Sequence, residues 1–293
     1  MRLAYLGTPG PAVGPLQALV EAGHEIVVVV TQPDRRRGRG AALVPSPVKA
    51  AASELGLAVT ERVEDVVAAD AELGVVVAFG RLIRPNVLSA VPMVNLHFSL
   101  LPRWRGAAPV ERAILAGDET TGVCVMALDE GLDTGPVYEC ASVVVGTETT
   151  ADELRSELAG IGGTMLVRLL AEGLPEPRSQ VGEATYARKL EPAEHHLDWS
   201  RPASHLHRVV RLGQAWTTLR GRRLRVLRAA VADVPGLPPG RLDPDTLSVG
   251  TAEGALALVE VQPEGRAPQA AAAWRNGARL RPGEVLGEGT ASR

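Results

Sequence analysis

The chain has 293 residues, 45% of them hydrophobic and only 3% aromatic, with a formal net charge of −3. That length accommodates two domains with interiors filled by Val, Leu and Ala, and the charge balance excludes a protein that binds nucleic acid over its whole surface. No apolar run approaches the roughly 18 residues needed to cross a bilayer, and MRLAYLGTPG turns to Gly and Pro too early for a secretory signal, so the expectation is a soluble cytoplasmic protein without a membrane partner.

Leu3 to Leu6 reads as a short strand, Gly7-Thr8-Pro9-Gly10 as a turn, and Ala12 to Ala22 as a helix. The turn lacks G-x-G-x-x-G spacing and contains two prolines, so it reads as structural rather than phosphate-binding. Glu25 to Thr31 (EIVVVVT) is a β-branched run suited to a buried parallel strand. Pro47 to Leu55 suits a helix with proline near its start. Gly74 to Phe79 and Met93 to His97 are further strands, Ala107 to Ala116 a helix, Val123 to Leu128 a strand, and Thr149 to Leu170 a long helix. This alternation predicts an α/β, Rossmann-like domain with a mostly parallel sheet.

Beyond residue 170 the pattern changes. Gly173 to Glu183 is rich in Pro, Gly and charge, and Tyr186 to Trp199 has little periodicity. From about Leu219 short alternating segments follow, separated by Gly and Pro: LRGRRLRVLRAAV, LSVGTAEGALALVEVQPEG and AAAWRNG. These predict a small β-barrel or sandwich. The expected organisation is a first domain over 1–183, a linker over 184–200 and a second domain over 201–293.

Two cysteines, Cys124 and Cys140, are too few for a disulfide framework, and their Val-rich surroundings predict buried free thiols. No Cys/His cluster has zinc spacing, so no metal is expected. Positive charge is concentrated in Arg35-Arg36-Arg37-Gly38-Arg39 and in RGRRLRVLR (Arg220 to Arg228). In the second block Arg223 and Arg225 alternate with Leu224 and Val226, which on a strand gives one basic and one buried face. Such patches suit an anionic partner met at defined places, or simply a solvated face.

The chemistry concentrates between Asn95 and Gly135: NLHFSLLPRWRGAAPVERAILAGDETTGVCVMALDEGLDTG. Asn95 and His97, at i and i+2 of a strand, project to the same side and can present an N–H donor and a titratable ring to one bound group. That pair suits a carbonyl becoming an oxyanion, and Asp133 in the Gly-Leu-Asp-Thr-Gly turn can hold or tune the histidine. Phe79, Gly80 and Leu82, at the preceding strand end, are placed to complete a pocket.

Asn-x-His, followed by Ser-Leu-Leu-Pro and then Leu-Asp-Thr-Gly, resembles the folate-dependent formyltransferases. The extension Arg103-Trp104-Arg105-Gly106-Ala107-Ala108-Pro109 is similar to the branch of that family that formylates methionyl initiator tRNA. The resemblance implies 10-formyltetrahydrofolate as formyl donor and a catalytic set of Asn95, His97 and Asp133. It further implies folate contacts at Ser99, Leu100, Leu101 and Pro102. Arg35, Arg36, Arg37 and Arg39 correspond to a loop that approaches the tRNA acceptor end. The second domain, with Arg223 and Arg225, corresponds to an OB-like barrel that faces the tRNA.

Tyr186-Ala187-Arg188-Lys189-Leu190 and Asp198-Trp199-Ser200 resemble the family's linker. Two positions depart from its pattern. Leu212 to Thr218 stands where many members carry a Pro-rich segment, and Phe98 stands where a glycine is often found beside His97. An amino sugar or other small amine as acceptor, and a non-catalytic RNA-binding relative, are the competing readings. A monomer is expected.

Overall fold

The computed structural model describes residues 1–36 and 43–288. Its first part contains β1 (Arg2–Gly7), α1 (Val13–Glu21), β2 (Glu25–Val30), β3 (Arg35–Arg36), β4 (Leu43–Val44), α2 (Pro47–Glu54), β5 (Val59–Thr60), α3 (Asp65–Ala68), β6 (Leu73–Val77) and α4 (Pro85–Leu88). There follow β7 (Met93–His97), α5 (Pro109–Ala116), β8 (Thr120–Ala127), β9 (Val137–Val144) and α6 (Ala151–Glu172). Seven of these strands form one sheet in the order β5-β2-β1-β6-β7-β8-β9.

The sheet is parallel from β5 to β7, while β8 and β9 are antiparallel to their neighbours. Every residue of β6 and β7 is buried, as expected for central strands covered on both faces, and it explains their unbroken apolar letters. The chain leaves β1 toward β2 on one side and later returns to β6 on the other. The carboxyl ends of β1 and β6 therefore adjoin at a topological switch point, where open α/β sheets accommodate ligands.

Local chemistry holds the connections. Gly7 permits the close turn after β1, since a Cβ there would lie 2.9 Å from the Ala12 Cβ and 3.1 Å from the Val77 carbonyl. The buried Tyr5 hydroxyl donates to the Ala12 carbonyl at 2.5 Å, fixing the 3-10 turn that leads into α1. Ser46 caps α2 by accepting from the Lys49 amide, with Pro47 in the first turn, where its missing N–H costs nothing.

Strand β9 was not expected, because VYECASVV mixes polar and apolar letters and only Val143 in it is buried. Its presence corrects the reading of the cysteines. Antiparallel pairing sets Cys140 directly opposite Cys124 with Cα atoms 4.1 Å apart, and the two form a disulfide rather than buried free thiols. Cys124 is fully buried, whereas Cys140 is exposed.

The chain divides into two compact units. Residues 1–112, 119–145 and 153–189 make the first, and 113–118, 146–152 and 190–293 the second. The second contains α7 (Ala203–Arg211), β10 (Trp216–Leu219), β11 (Arg222–Ala232), β12 (Ser248–Gly250), β13 (Ala255–Pro263), β14 (Gln269–Ala270) and α8 (Ala271–Ala278). Its sheet is antiparallel, ordered β10-β11-β13-β12, with β14 added to β13. Single bridges from Leu219 to Leu286, Arg241 to Val285 and Leu242 to Val249 lead from one edge strand to the other and curl the sheet round.

Leu206, Val226, Leu256 and Trp274 meet in its core. The Arg211 guanidinium, 8% exposed, donates to the carbonyls of Gly146 and Thr149 at 2.8 Å each. The segment AAAWRNG is helical rather than a strand. Its alanines favour a helix, and Ala271 and Trp274, three apart, share the buried side.

Protein purified in air and unfolded without reductant is expected to show no titratable thiol, and both cysteines only after reduction. Free thiols before reduction would contradict the Cys124–Cys140 pairing.

Candidate active site

Asn95 and His97 are 8% and 5% exposed, and β7 carries them between a parallel and an antiparallel neighbour. With both edges of the strand hydrogen-bonded, the two side chains have a rigid base. His97 Nε2 lies 2.8 Å from the Trp104 carbonyl oxygen. That oxygen can only accept, so Nε2 carries a proton and Nδ1 is the nitrogen that faces Asp133, 3.6 Å from its Oδ2. The separation exceeds hydrogen-bond reach. The same Oδ2 accepts the Gly106 amide at 2.7 Å. No hydrogen bond from the Asn95 carboxamide is found among the described residues, and its polar atoms are not sealed from solvent.

The turn that presents Asp133 is tied at several points. Asp129 accepts from the Thr134 hydroxyl at 2.8 and 2.9 Å and from the Gly131 amide at 3.1 Å. Asp133 itself has φ +52°, a left-handed conformation that Asp tolerates better than most residues. The Gln180 side-chain amide donates to the carbonyls of Asp133 and Gly135, both at 2.8 Å.

These groups face a cavity of about 590 Å³, within the range that buries a small-molecule ligand. Most of its walls come from strand ends: Pro9 after β1, Ala78 to Ile83 after β6, Asn95 to Phe98 from β7 onward, and Leu128, Asp129 and Gly131 to Asp133 after β8, with Gly106, Ala107 and Pro109 added from the entry to α5. Phe79, Gly80 and Leu82 line it, with Leu82 83% exposed at the rim. Phe98, buried, is part of the wall beside His97.

Ser99, Leu100, Leu101 and Pro102 do not line the cavity. Ser99 is fully buried and donates to the Arg103 carbonyl at 2.5 Å. Leu100 packs on β8, where a Cβ on Gly122 would fall 2.9 Å from its Cγ. The Leu101–Pro102 peptide bond is cis. The sequence reading overlooked Pro9, Ile83, Leu128 and Leu132. All four follow the carboxyl end of a strand, and that placement could have identified them. It also overlooked Gln180 and Thr185, which lie in a stretch without periodicity.

Of the basic candidates, Arg36 is exposed on β3, which pairs with β4, and Arg35 is its neighbour on that strand. Arg37 and Arg39 lie outside the described residues. In the second unit Arg223 is exposed, its guanidinium 4.5 Å above the Trp216 ring. Arg225 is half-buried and donates to Gln262 Oε1 at 2.9 Å and to the Gly213 carbonyl at 3.1 Å. Leu224 between them and Val226 after them are buried, so β11 has one basic and one apolar face, with one arginine engaged within the protein. No cluster of His, Cys, Asp or Glu suited to a metal is found among the described residues.

Residues 1–170 match the formyl transferase family and residues 189–279 match the formyl transferase C-terminal domain, so the chain belongs to the formyl transferase family. Within that family, the methionyl-tRNA formyltransferase of Roseobacter denitrificans is 42% identical to it over 306 aligned positions, covering 98% of this chain and 99% of the relative. Among solved structures, the methionyl-tRNA formyltransferase of Clostridium thermocellum superposes with a TM-score of 0.59 at 18% identity, covering 78% of this chain and 93% of that one. HypX from Aquifex aeolicus in complex with tetrahydrofolic acid gives a TM-score of 0.66 at 17% identity over 94% of this chain and 46% of that one. At those identities the structural likeness is one of fold.

Gly106→Ala tests the support of the site. At φ +115° a Cβ would stand 2.9 Å from the Ala187 carbonyl oxygen. The substitution is expected to cost about 1–3 kcal/mol in denaturant unfolding and to weaken the amide contact to Asp133. An unchanged midpoint would show that the segment relaxes freely.

Proposed function

We propose that the chain transfers the formyl group of 10-formyltetrahydrofolate to the free amino group of methionyl initiator tRNA, for the start of translation. The observation that carries this reading is the Asn95 carboxamide, which has no partner among the described residues and opens beside His97 into the cavity that both residues line. The near-complete alignment with a methionyl-tRNA formyltransferase favours this acceptor over an amino sugar.

The cavity's size and its apolar wall around Phe79, Leu82 and Ile83 suit a flat heteroaromatic ring. Phe79, Gly80 and Leu82 are assigned to folate contact, and Ser99 to Pro102 to supporting the loop that carries Trp104. The donor supplies an electrophilic formyl carbon on nitrogen. Asn95 donates its amide N–H to the formyl oxygen as negative charge develops there. Protonated His97 neutralises that charge through Nδ1, since Nε2 is committed to the Trp104 carbonyl. Asp133 stabilises the imidazolium and, through its other oxygen, takes the proton released by the attacking amine, directly or through water.

The transfer is direct: as the tetrahedral intermediate collapses, the bond between the formyl carbon and the donor nitrogen breaks, and that nitrogen takes up the proton held by Asp133 as tetrahydrofolate leaves. Ser99 is buried and committed to a carbonyl, and both cysteines are bonded to each other, so neither offers an activated nucleophile. Residues 1–183 are assigned to folate binding and catalysis, 184–200 to the linker, and 201–293 to an OB-like RNA-binding domain. The arginines at 35, 36, 37 and 39 approach the acceptor end, where guanidinium groups suit phosphates and unpaired bases. Arg223 and Arg225 provide a further basic face. We place the protein in the cytoplasm, where its tRNA substrate is used; in that reducing compartment the exposed Cys140 leaves the disulfide open to thiol exchange.

The deciding experiment is formyl transfer from 10-formyltetrahydrofolate to methionyl initiator tRNA, run beside methionyl elongator tRNA. Formylation of the initiator alone is expected. No transfer to either, with folate still bound, would move the acceptor to an amino sugar or another small amine. Asn95→Ala is expected to lower kcat by about 10²–10³-fold, and an undiminished rate would remove it from the mechanism. Arg39→Ala is expected to raise KM for the tRNA while leaving folate binding unchanged; equal loss of both would point to a loop that covers the folate.

A further inference from the structure

We propose that Gln180 and Arg105 are positioning residues for the transfer, locking the Asp133 turn to the segment that orients His97. This rests on the assignment of His97 and Asp133 as the reacting pair. Consecutive residues 104 to 106 each do one part of the work. The Trp104 carbonyl accepts from His97 Nε2 at 2.8 Å, and the Gly106 amide donates to Asp133 Oδ2 at 2.7 Å. Between them, Arg105 turns its guanidinium to Gln180, with Nε and Nη2 donating to Oε1 at 3.1 and 2.7 Å. Gln180 completes the circuit through its own two N–H groups, which hold the carbonyls of Asp133 and Gly135.

The chemistry of this link selects glutamine. A carboxamide has two N–H donors and an oxygen with two lone pairs, and all four are used here. Arg105 has donors only, so it fixes which end of the amide is oxygen and which end faces the turn. Glutamate would keep the contact with Arg105 but would set a carboxylate against two carbonyl oxygens.

The turn needs such a tie because Asp133 is held at φ +52°, a conformation that persists only where the surroundings impose it. Pinning the carbonyls on both sides of Thr134 sets the plane of the turn and hence the direction of the Asp133 side chain. The 3.6 Å gap between Asp133 and His97 Nδ1 is thereby kept open, and Nδ1 remains available to the formyl oxygen rather than closing onto the carboxylate. Thr185 steadies the other partner: its hydroxyl accepts the Trp104 amide and its carbonyl accepts the Arg105 amide, both at 2.9 Å.

The test measures kcat and KM for Gln180→Leu and Gln180→Glu, each alone and combined with Asp133→Asn, alongside thermal unfolding. Both single variants are expected to fold, to keep KM for the formyl donor within about twofold, and to lose on the order of 10²-fold in kcat, the scale of a misplacement of about 1 Å. In the Asp133→Asn background, adding Gln180→Leu is expected to cost under about threefold, because a residue that acts through Asp133 has little left to lose. Losses that multiply in the double variant, or single variants with kcat within about threefold of the parent, would overturn the proposal. If Gln180→Leu unfolds, Gln180→Glu, which retains the partner of Arg105, decides the matter by the same criteria. A parent enzyme that transfers no formyl group would defeat the functional reading instead, which keeps the two failures apart.

Discussion

Two hydrogen bonds between side chain and backbone, from His97 Nε2 to the Trp104 carbonyl and from the Gly106 amide to the Asp133 carboxylate, determine where the titratable groups of the cavity stand. They originate two residues apart, at 104 and 106, so any shift of that stretch moves the imidazole and the carboxylate together. Strand β7 fixes the Cα of His97 but leaves its ring free to turn, and the carbonyl stops that rotation and selects the tautomer. The carboxylate has no strand beneath it and depends on the amide, on the Asp129 cap and on Gln180. The arrangement combines one group on a rigid element with another on a loop, and a single short segment sets the distance between them.

The same stretch concentrates unusual backbone. Trp104, Gly106 and Asp133 have positive φ, as do Ala78 and Gly80 on the opposite wall. Non-glycine residues in that region carry a cost that the surrounding bonds must offset. Here it turns backbone groups inward: the sheet ends at the carboxyl edge, and the chain must reverse abruptly to present an amide or carbonyl to the cavity rather than to solvent. Apolar packing of α1, α2 and the β1–β6 layer provides the rigid frame against which these reversals are held.

Much of the frame was legible in the sequence because it is written in composition. EIVVVV and the run before Phe79 have no stable place except a buried parallel strand, and the i, i+2 placement of Asn95 and His97 followed from strand geometry. Asp133 was legible only through the Leu-Asp-Thr-Gly motif, since nothing in its spacing shows that it returns to His97. Strand β9 was hidden because one of its faces is solvated, and with it the meeting of Cys124 and Cys140. Helix α7 carries apolar residues at Leu206, Val209 and Val210, a readable spacing obscured by histidines and by the proline before it. Gln180 and Thr185 act through hydrogen bonds over long sequence separations, which leave no periodic trace. Leu100 was expected at the folate through the family resemblance alone, and its packing against Gly122 of β8 likewise leaves no mark in the sequence.

The return of residues 185 to 187 alongside 105 to 108 has a consequence for how the enzyme is made. Arg105 and Ala108 exchange amide and carbonyl bonds with Thr185 and Ala187, so the segment touching both reacting groups gains its last partners some eighty residues after its own synthesis. A nascent chain that has emerged through α6 possesses every wall of the cavity yet lacks the brace behind it. A dissected catalytic fragment that stops at residue 170, where the first family match ends, would stay incomplete in the same way.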